Sequence, residues 1–218
     1  MADHRAAGTK RLDSFVDSAF AFAATFLVVG NAASMRSFDD LILGLCRIPA
    51  FGISLSIILC FWWAHRSFSL LAIRQDAICE AISIAIMIVI LIYVFPMSFM
   101  IEAAVHWLSD GRLPGRGLNA EQIRPAYHIF GIGFALLSGL YVGLYGRLLI
   151  AKSRLALRRP FWPAIKRRLV NWVVGMAAGL GSILLAAVST IDVVIWLPSL
   201  PYLGFAGYAV IRKMLEFR

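Results

Sequence analysis

Ala77-Ile-Cys-Glu-Ala-Ile-Ser-Ile-Ala-Ile-Met-Ile-Val-Ile-Leu-Ile-Tyr-Val-Phe-Pro-Met-Ser-Phe-Met100 carries a single ionisable acid or base, Glu80, in 24 consecutive residues. A helix of about 20 mostly apolar residues crosses the hydrocarbon core of a bilayer. The rest of the chain shares the bias of this stretch. Of 218 residues, 61% are hydrophobic and 15% charged, and the mean hydropathy is +0.80. Average globular chains are about 45–50% apolar and about 25% charged. With 21 basic and 12 acidic side chains, a water-soluble fold could not cover that apolar surface, so lipid is the solvent for much of it.

Two similar runs precede this stretch, from about Asp13 to Ala33 and from about Leu43 to His65. Three follow it: about Ala126 to Ile150, Leu169 to Ser189, and Val193 to Ile211. The expectation is an all-α polytopic membrane protein, with residues 1–218 forming a single domain of six transmembrane helices. Only Thr190–Asp192 separates the last two runs, which predicts a tight antiparallel hairpin. Pro198 and Pro201 interrupt the sixth run, as membrane helices permit where neighbours satisfy the freed carbonyls.

The net charge of +9 reads as a topology signal, since the cations sit between apolar runs and are not interleaved with aromatics on one stacking face. Nucleic acid is therefore excluded as a partner. With six spans, one side of the membrane holds Arg5, Lys10, Arg11, Arg66, Arg74, Arg147, Lys152, Arg154, Arg158, Arg159, Lys166, Arg167, Arg168, Arg212, Lys213 and Arg218. The other side holds Arg36, Arg47, Arg112, Arg116 and Arg124. Cytoplasmic loops carry the excess of Lys and Arg. This puts both termini in the cytoplasm of a multi-pass inner-membrane protein and makes 153–168 a basic cytoplasmic linker, with anionic lipid as a modest further contact. Asp13 and Asp17 at the start of the first apolar run argue against a cleaved signal peptide. Cys46, Cys60 and Cys79 read as small buried packing residues, with no disulfide or zinc spacing.

Charged groups inside membrane spans are costly and therefore informative. Asp17, His65, Arg66, Asp76 and Glu80 all fall near one membrane face. They form either a satisfied network that fixes helix packing or a path for protons or ions. In the first span Ser14, Ser18, Ala21, Thr25 and Ala32 share a stripe at 100° per residue, flanked by Phe22 and Val29 with Phe26 further round. Such a stripe serves close helix packing or forms a pore wall narrowed by apolar side chains. Gly139-x-x-x-Gly143 and Gly175-x-x-x-Gly179 read as close helix contacts. No Gly-x-Ser-x-Gly, His-Glu-x-x-His or phosphate loop is present, so no enzyme, catalytic residue, metal site or cofactor is expected.

Arg11-Leu-Asp-Ser-Phe15-Val-Asp17 resembles the Arg-x-x-x-Phe-Ser-Asp signature of the family of the lysosomal potassium channel, transmembrane protein 175. Phe61-Trp62-Trp63-Ala64-His65-Arg66-Ser67-Phe68 is similar to that family's Trp-x-x-His tail, and Phe95-Pro96 to its late proline. The resemblance implies a homotetramer of six-helix subunits in the lipid bilayer, with the first helix of each lining a central pore. It implies a passive channel for monovalent cations with potassium as the permeant ion. The constriction falls on Phe22, Phe26 and Val29, five, nine and twelve positions after the motif aspartate. Ser18 and Thr25 become the pore-lining polar residues. Arg11, Phe15, Asp17 and His65 become the packing network that holds the helix. Val16 departs from the signature, which has serine there. Two other classes compete: a proton-coupled secondary transporter using Asp17, His65, Asp76 and Glu80, and a non-conducting membrane scaffold.

Overall fold

The computed structural model describes residues 2–32, 36–72, 75–150, 162–190 and 196–216. Seven α-helices are found there: α1 (Ala2–Ala32), α2 (Phe38–Cys46), α3 (Ile48–Leu71), α4 (Ala77–Leu108), α5 (Ala120–Ile150), α6 (Trp162–Val188) and α7 (Leu200–Glu216), with a 3₁₀ turn at Leu197–Ser199. They divide into two packed units, α1–α4 in one and α5–α7 in the other.

Among the described residues five helices are long and apolar enough to cross a membrane, not six: Arg11–Val29 of α1, and all of α3, α4, α5 and α6. The sixth expected span, Val193 to Ile211, begins outside the described residues and resolves beyond Trp196 into the 3₁₀ turn and α7. Its prolines do not interrupt a long helix. They start a short one: Pro198 lies in the 3₁₀ turn and Pro201 in the first turn of α7, where a missing N–H removes no helical bond. The 17 residues of α7 rise about 25 Å, short of the roughly 30 Å hydrocarbon core. Their apolar part ends sooner, at Arg212. Five crossings also remove the parity argument for both termini on one side. The hairpin expected at Thr190–Asp192 lies largely outside the described residues, and of the linker at 153–168 the described part, 162–168, is the start of α6.

In the first unit the buried positions repeat every three or four residues: Val16, Ala19, Phe20, Ala23 and Leu27 on α1, Ile58, Phe61 and Phe68 on α3, and Ile86, Ile90, Val94 and Met97 on α4. These stripes face one another, and α1 packs on both α3 and α4. In the second unit α5 and α6 pack along their length. Tyr141 stacks on Trp172 with ring centroids 4.5 Å apart. A Cβ added at Gly179 would lie 2.9 Å from the Cβ of Ala135, so the absence of a side chain there permits the close approach. Gly175 is buried with it, whereas Gly143 is exposed. Tyr202 and Phe205 of α7 set their rings edge-on to Phe130 and Phe134 of α5. Of the three cysteines only Cys79 is buried. Cys46 and Cys60 are exposed, and all three are free thiols.

Candidate functional site

The two faces of α1 have opposite fates. Val16, Ala19, Phe20, Ala23 and Leu27 are no more than 8% exposed, packed within the unit. Ser14, Phe15, Ser18, Ala21, Phe22, Thr25 and Val29 are exposed. Phe22 and Val29 remain 54% and 53% exposed, and Phe15 60%. The ring of Phe22 meets Phe26 edge-on at 4.7 Å. The half-buried Phe26 in turn meets Phe95 of α4 at 5.3 Å. The Ser18 hydroxyl donates to the Ser14 carbonyl and the Thr25 hydroxyl to the Ala21 carbonyl, each at 2.9 Å. Both oxygens thus spend their proton on the helix itself and keep acceptor lone pairs for another group.

A row of polar contacts ties the middle of α1 to α3 and to the connection before α4. Asp17 Oδ1 accepts from Trp62 Nε1 at 2.8 Å. One turn earlier, Asp13 Oδ1 accepts from Ser69 Oγ at 2.8 Å and from Gln75 Nε2 at 3.0 Å. The two carboxylates, four residues apart, share a helix face, and so do their α3 partners seven residues apart. The Arg66 guanidinium lies 5.3 Å from the centre of the Trp62 ring, a cation–π contact that holds the indole from its other side.

The remaining candidates separate. His65, 1% exposed, shares a hydrogen bond between its Nε2 and Ser83 Oγ of α4 at 3.1 Å; its partner is a hydroxyl and not one of the acids. Asp76 caps α4, accepting from the Cys79 amide at 3.0 Å. Glu80 is half-buried in the first turn of that helix, where a negative charge is favoured by the helix dipole. Arg11 is exposed. Val16, where the family signature has serine, is 0% exposed in the apolar core. No group of three His, Cys, Asp or Glu side chains among the described residues could hold a metal ion. The reading of the sequence missed Asp13, Trp62, Ser69, Gln75 and Ser83 as members of these contacts. Asp13 had a signal, its i, i+4 spacing to Asp17, and Trp62 lay inside a quoted motif. Gln75 and Ser83 had none.

These features define a multi-pass, all-α membrane protein whose first apolar helix is anchored along one face and open along the other. It is similar to proteins named as potassium channels. A protein of Marivirga tractuosa named "Potassium channel" is 30% identical over 90 residues, covering 41% of this chain and 36% of that protein. The chain thus aligns with about a third of that relative's length. The solved structure of a variant of the potassium channel MtTMEM175, bound to a nanobody fusion, superposes with a TM-score of 0.75 at 19% identity, over 94% of this chain and 92% of that one. A lysosomal potassium-selective channel TMEM175 homologue from Chamaesiphon minutus superposes with a TM-score of 0.65, also at 19% identity, over 94% and 98%. No family model matches the chain. The chain is thus similar over part of its sequence to a protein named as a potassium channel, and similar in fold to two solved transmembrane protein 175 channels.

Proposed function

We propose that the chain is the subunit of a passive cation channel, permeable to potassium, in which the open face of α1 lines a pore formed by a homotetramer. The observation that carries this is the uncovered stripe of Ser14, Ser18, Ala21, Phe22, Thr25 and Val29 opposite a fully packed one. The hydroxyls of this face are bonded to their own helix and keep acceptor lone pairs, which a cation can use and acyl chains cannot. Repeated around a symmetry axis, the face becomes a conduit. Phe22, Phe26 and Val29 would narrow it and let it close by excluding water. Ser18 and Thr25 would offer their oxygens to a dehydrating cation. Arg11, Phe15, Asp17 and His65 would hold the helix in register, with Trp62 and Asp13 added to that group. No cofactor is required for such conduction.

The orientation proposed is inner-membrane, with the N-terminus in the cytoplasm. The basic residues at 5–11, 66–74 and 147–168 then share that side, irrespective of where the chain runs after α6. The proton-coupled transporter would need Asp17, His65, Asp76 and Glu80 to act together, and the hydrogen bonds of the first three run to Trp62, Ser83 and the Cys79 amide.

The test is ion flux into proteoliposomes holding only the purified protein, with potassium and sodium gradients compared. Passive flux that rises in Phe22→Ala supports the reading. Silence of both wild type and Phe22→Ala, in vesicles shown to contain folded oligomer, ends it.

A further inference from the structure

Phe26 stands at the edge of the open face of α1, not at its centre. At 100° per residue it lies on the opposite side of the helix from Asp17, nine positions earlier, and Ser18, Phe22, Thr25 and Val29 fall between the two. Each edge has a partner from a different helix. Asp17 is held from α3 by Trp62. Phe26 is held from α4, where the ring of Phe95 meets it edge-on at 5.3 Å with an interplanar angle of 65°.

Phe95 is not a core residue. It is 56% exposed, while its neighbours Val94 and Met97 are buried, so the interior of the unit does not require a ring there. The backbone around it is loosened. Pro96 lies inside α4 and has no N–H for the Ile92 carbonyl. The Ser98 hydroxyl donates to the Phe95 carbonyl at 3.0 Å, a side-chain bond of the kind that bends helices. Phe95 thus sits at a joint of α4 and reaches the edge of the α1 face.

We propose that Phe95 is a positioning residue for the constriction, drawing the Phe26 ring to the edge of the open face and away from its centre; this rests on the channel reading above. An aromatic side chain on a helix takes one of two χ1 rotamers. The edge-on attraction of a second ring, which an aliphatic side chain lacks, fixes the choice. Without Phe95 the Phe26 ring is free to swing over the open face and add bulk where exclusion of water closes the pore. A bend of α4 at Pro96 would carry Phe95 away and act in the same direction.

The experiment is potassium flux into proteoliposomes of the purified full-length protein in the Phe22→Ala background, where Phe26 is the one aromatic left at the constriction. Adding Phe95→Leu, which keeps bulk and removes the ring, should lower flux about two- to tenfold, the factor by which an edge-on aromatic pair biases two ring positions. Phe95→Tyr in its place keeps the ring and should restore the flux. With Phe26→Ala also present, Phe95→Leu should have no effect, because the ring it acts through is gone. Size-exclusion chromatography confirms the same oligomer in each variant. A flux unchanged by Phe95→Leu, or lowered equally without the Phe26 ring, would overturn the proposal and leave the channel reading standing. Silence of Phe22→Ala itself would end the channel reading and the pore role of Phe95 with it.

Discussion

The indole N–H of Trp62 donates to Asp17 Oδ1 at 2.8 Å, and this bond joins α1 to α3 on the side of α1 that its own core residues do not cover. Charge-assisted hydrogen bonds of this kind contribute about 1.5–3 kcal/mol, and nothing in lipid replaces a lost donor. Trp62→Phe keeps a ring for Arg66 and removes the donor. It should lower stability by about 2 kcal/mol, a fall in Tm of several degrees for a chain of this size. Asp17→Asn keeps an acceptor oxygen and should cost less. Thermal unfolding followed by size-exclusion chromatography checks the order; an Asp17→Asn loss larger than that of Trp62→Phe would show that the charge, not this bond, matters.

Phe22 and Phe26 are neighbours with different duties. Phe22 is 54% exposed, and its ring meets that of Phe26 on the same helix. Phe26 is half-buried and reaches across to Phe95 of α4. Removing a packed aromatic from a core costs about 3–5 kcal/mol, and from a half-buried site a fraction of that. Phe26→Ala should therefore lower stability by about 1–2 kcal/mol, while Phe22→Ala stays within about 0.5 kcal/mol of wild type. If Phe22→Ala also raises flux, its ring is separated from folding and assigned to permeation. Equal destabilisation by both variants would show that Phe22 is covered in the assembled protein by packing as tight as that of a core.

Five of the spans were legible because each is a long run of apolar residues whose composition alone fixes its solvent. The end of the chain was not, since Pro198 and Pro201 carry the same letters whether they break a long helix or begin a short one. Val16 was read through the motif as a lost hydroxyl. Its 3–4 spacing with Ala19, Phe20, Ala23 and Leu27 marked it equally well as a core position. Asp17 and His65 stood out as charges in apolar surroundings, yet their partners Trp62 and Ser83 lie 45 and 18 residues away. Helix periodicity records which face a residue is on, not which neighbour that face meets.

Asp40 makes the start of α2 sensitive to acid. Its Oδ2 accepts from the Arg36 amide, the Ser37 amide and the Ser37 hydroxyl, each at 2.9 Å, while Ser37 Oγ accepts from the Asp40 amide at 3.2 Å. The bond from the Arg36 amide, then that from the Ser37 hydroxyl, hold its carboxyl below the ordinary 3.8. A carboxyl with a lowered value in the folded state contributes stability above its unfolded value, and that contribution disappears as pH falls through the folded one. Hydrogen exchange at the amides of 36–41, corrected for the intrinsic rate, should be unchanged from pH 7 to about 5 and faster below the ordinary carboxylate range. Asp40→Ala should show the fast exchange at every pH. A wild-type profile flat to the lowest pH would mean that the capping box does not govern this turn.

Three glycines form a graded set. A Cβ at Gly115 would lie 2.5 Å from the Glu102 carbonyl oxygen and 2.6 Å from the Cβ of His106. The segment after α4 therefore lies directly on the last turns of that helix, where Arg116 Nε pairs with Glu102 Oε2 at 3.3 Å and His106 Nδ1 meets the Leu113 carbonyl at 2.8 Å. At Gly179 the added carbon would come within 2.9 Å of both the backbone nitrogen and the Cβ of Ala135. At Gly52, within α3, it would meet nothing within 4 Å. Overpacking a close contact costs about 1–3 kcal/mol, whereas alanine for glycine inside a helix is favourable by up to about 1 kcal/mol. Gly115→Ala and Gly179→Ala should both lower Tm, and Gly52→Ala should leave it unchanged or raise it. The first two differ in what they open: Gly115→Ala should expose the amides of 109–119 to exchange, and Gly179→Ala those along the α5–α6 contact. A destabilised Gly52→Ala would mean that this position of α3 is covered by another subunit in the assembled protein, which thermal unfolding of a dissociated form would reveal by restoring wild-type behaviour.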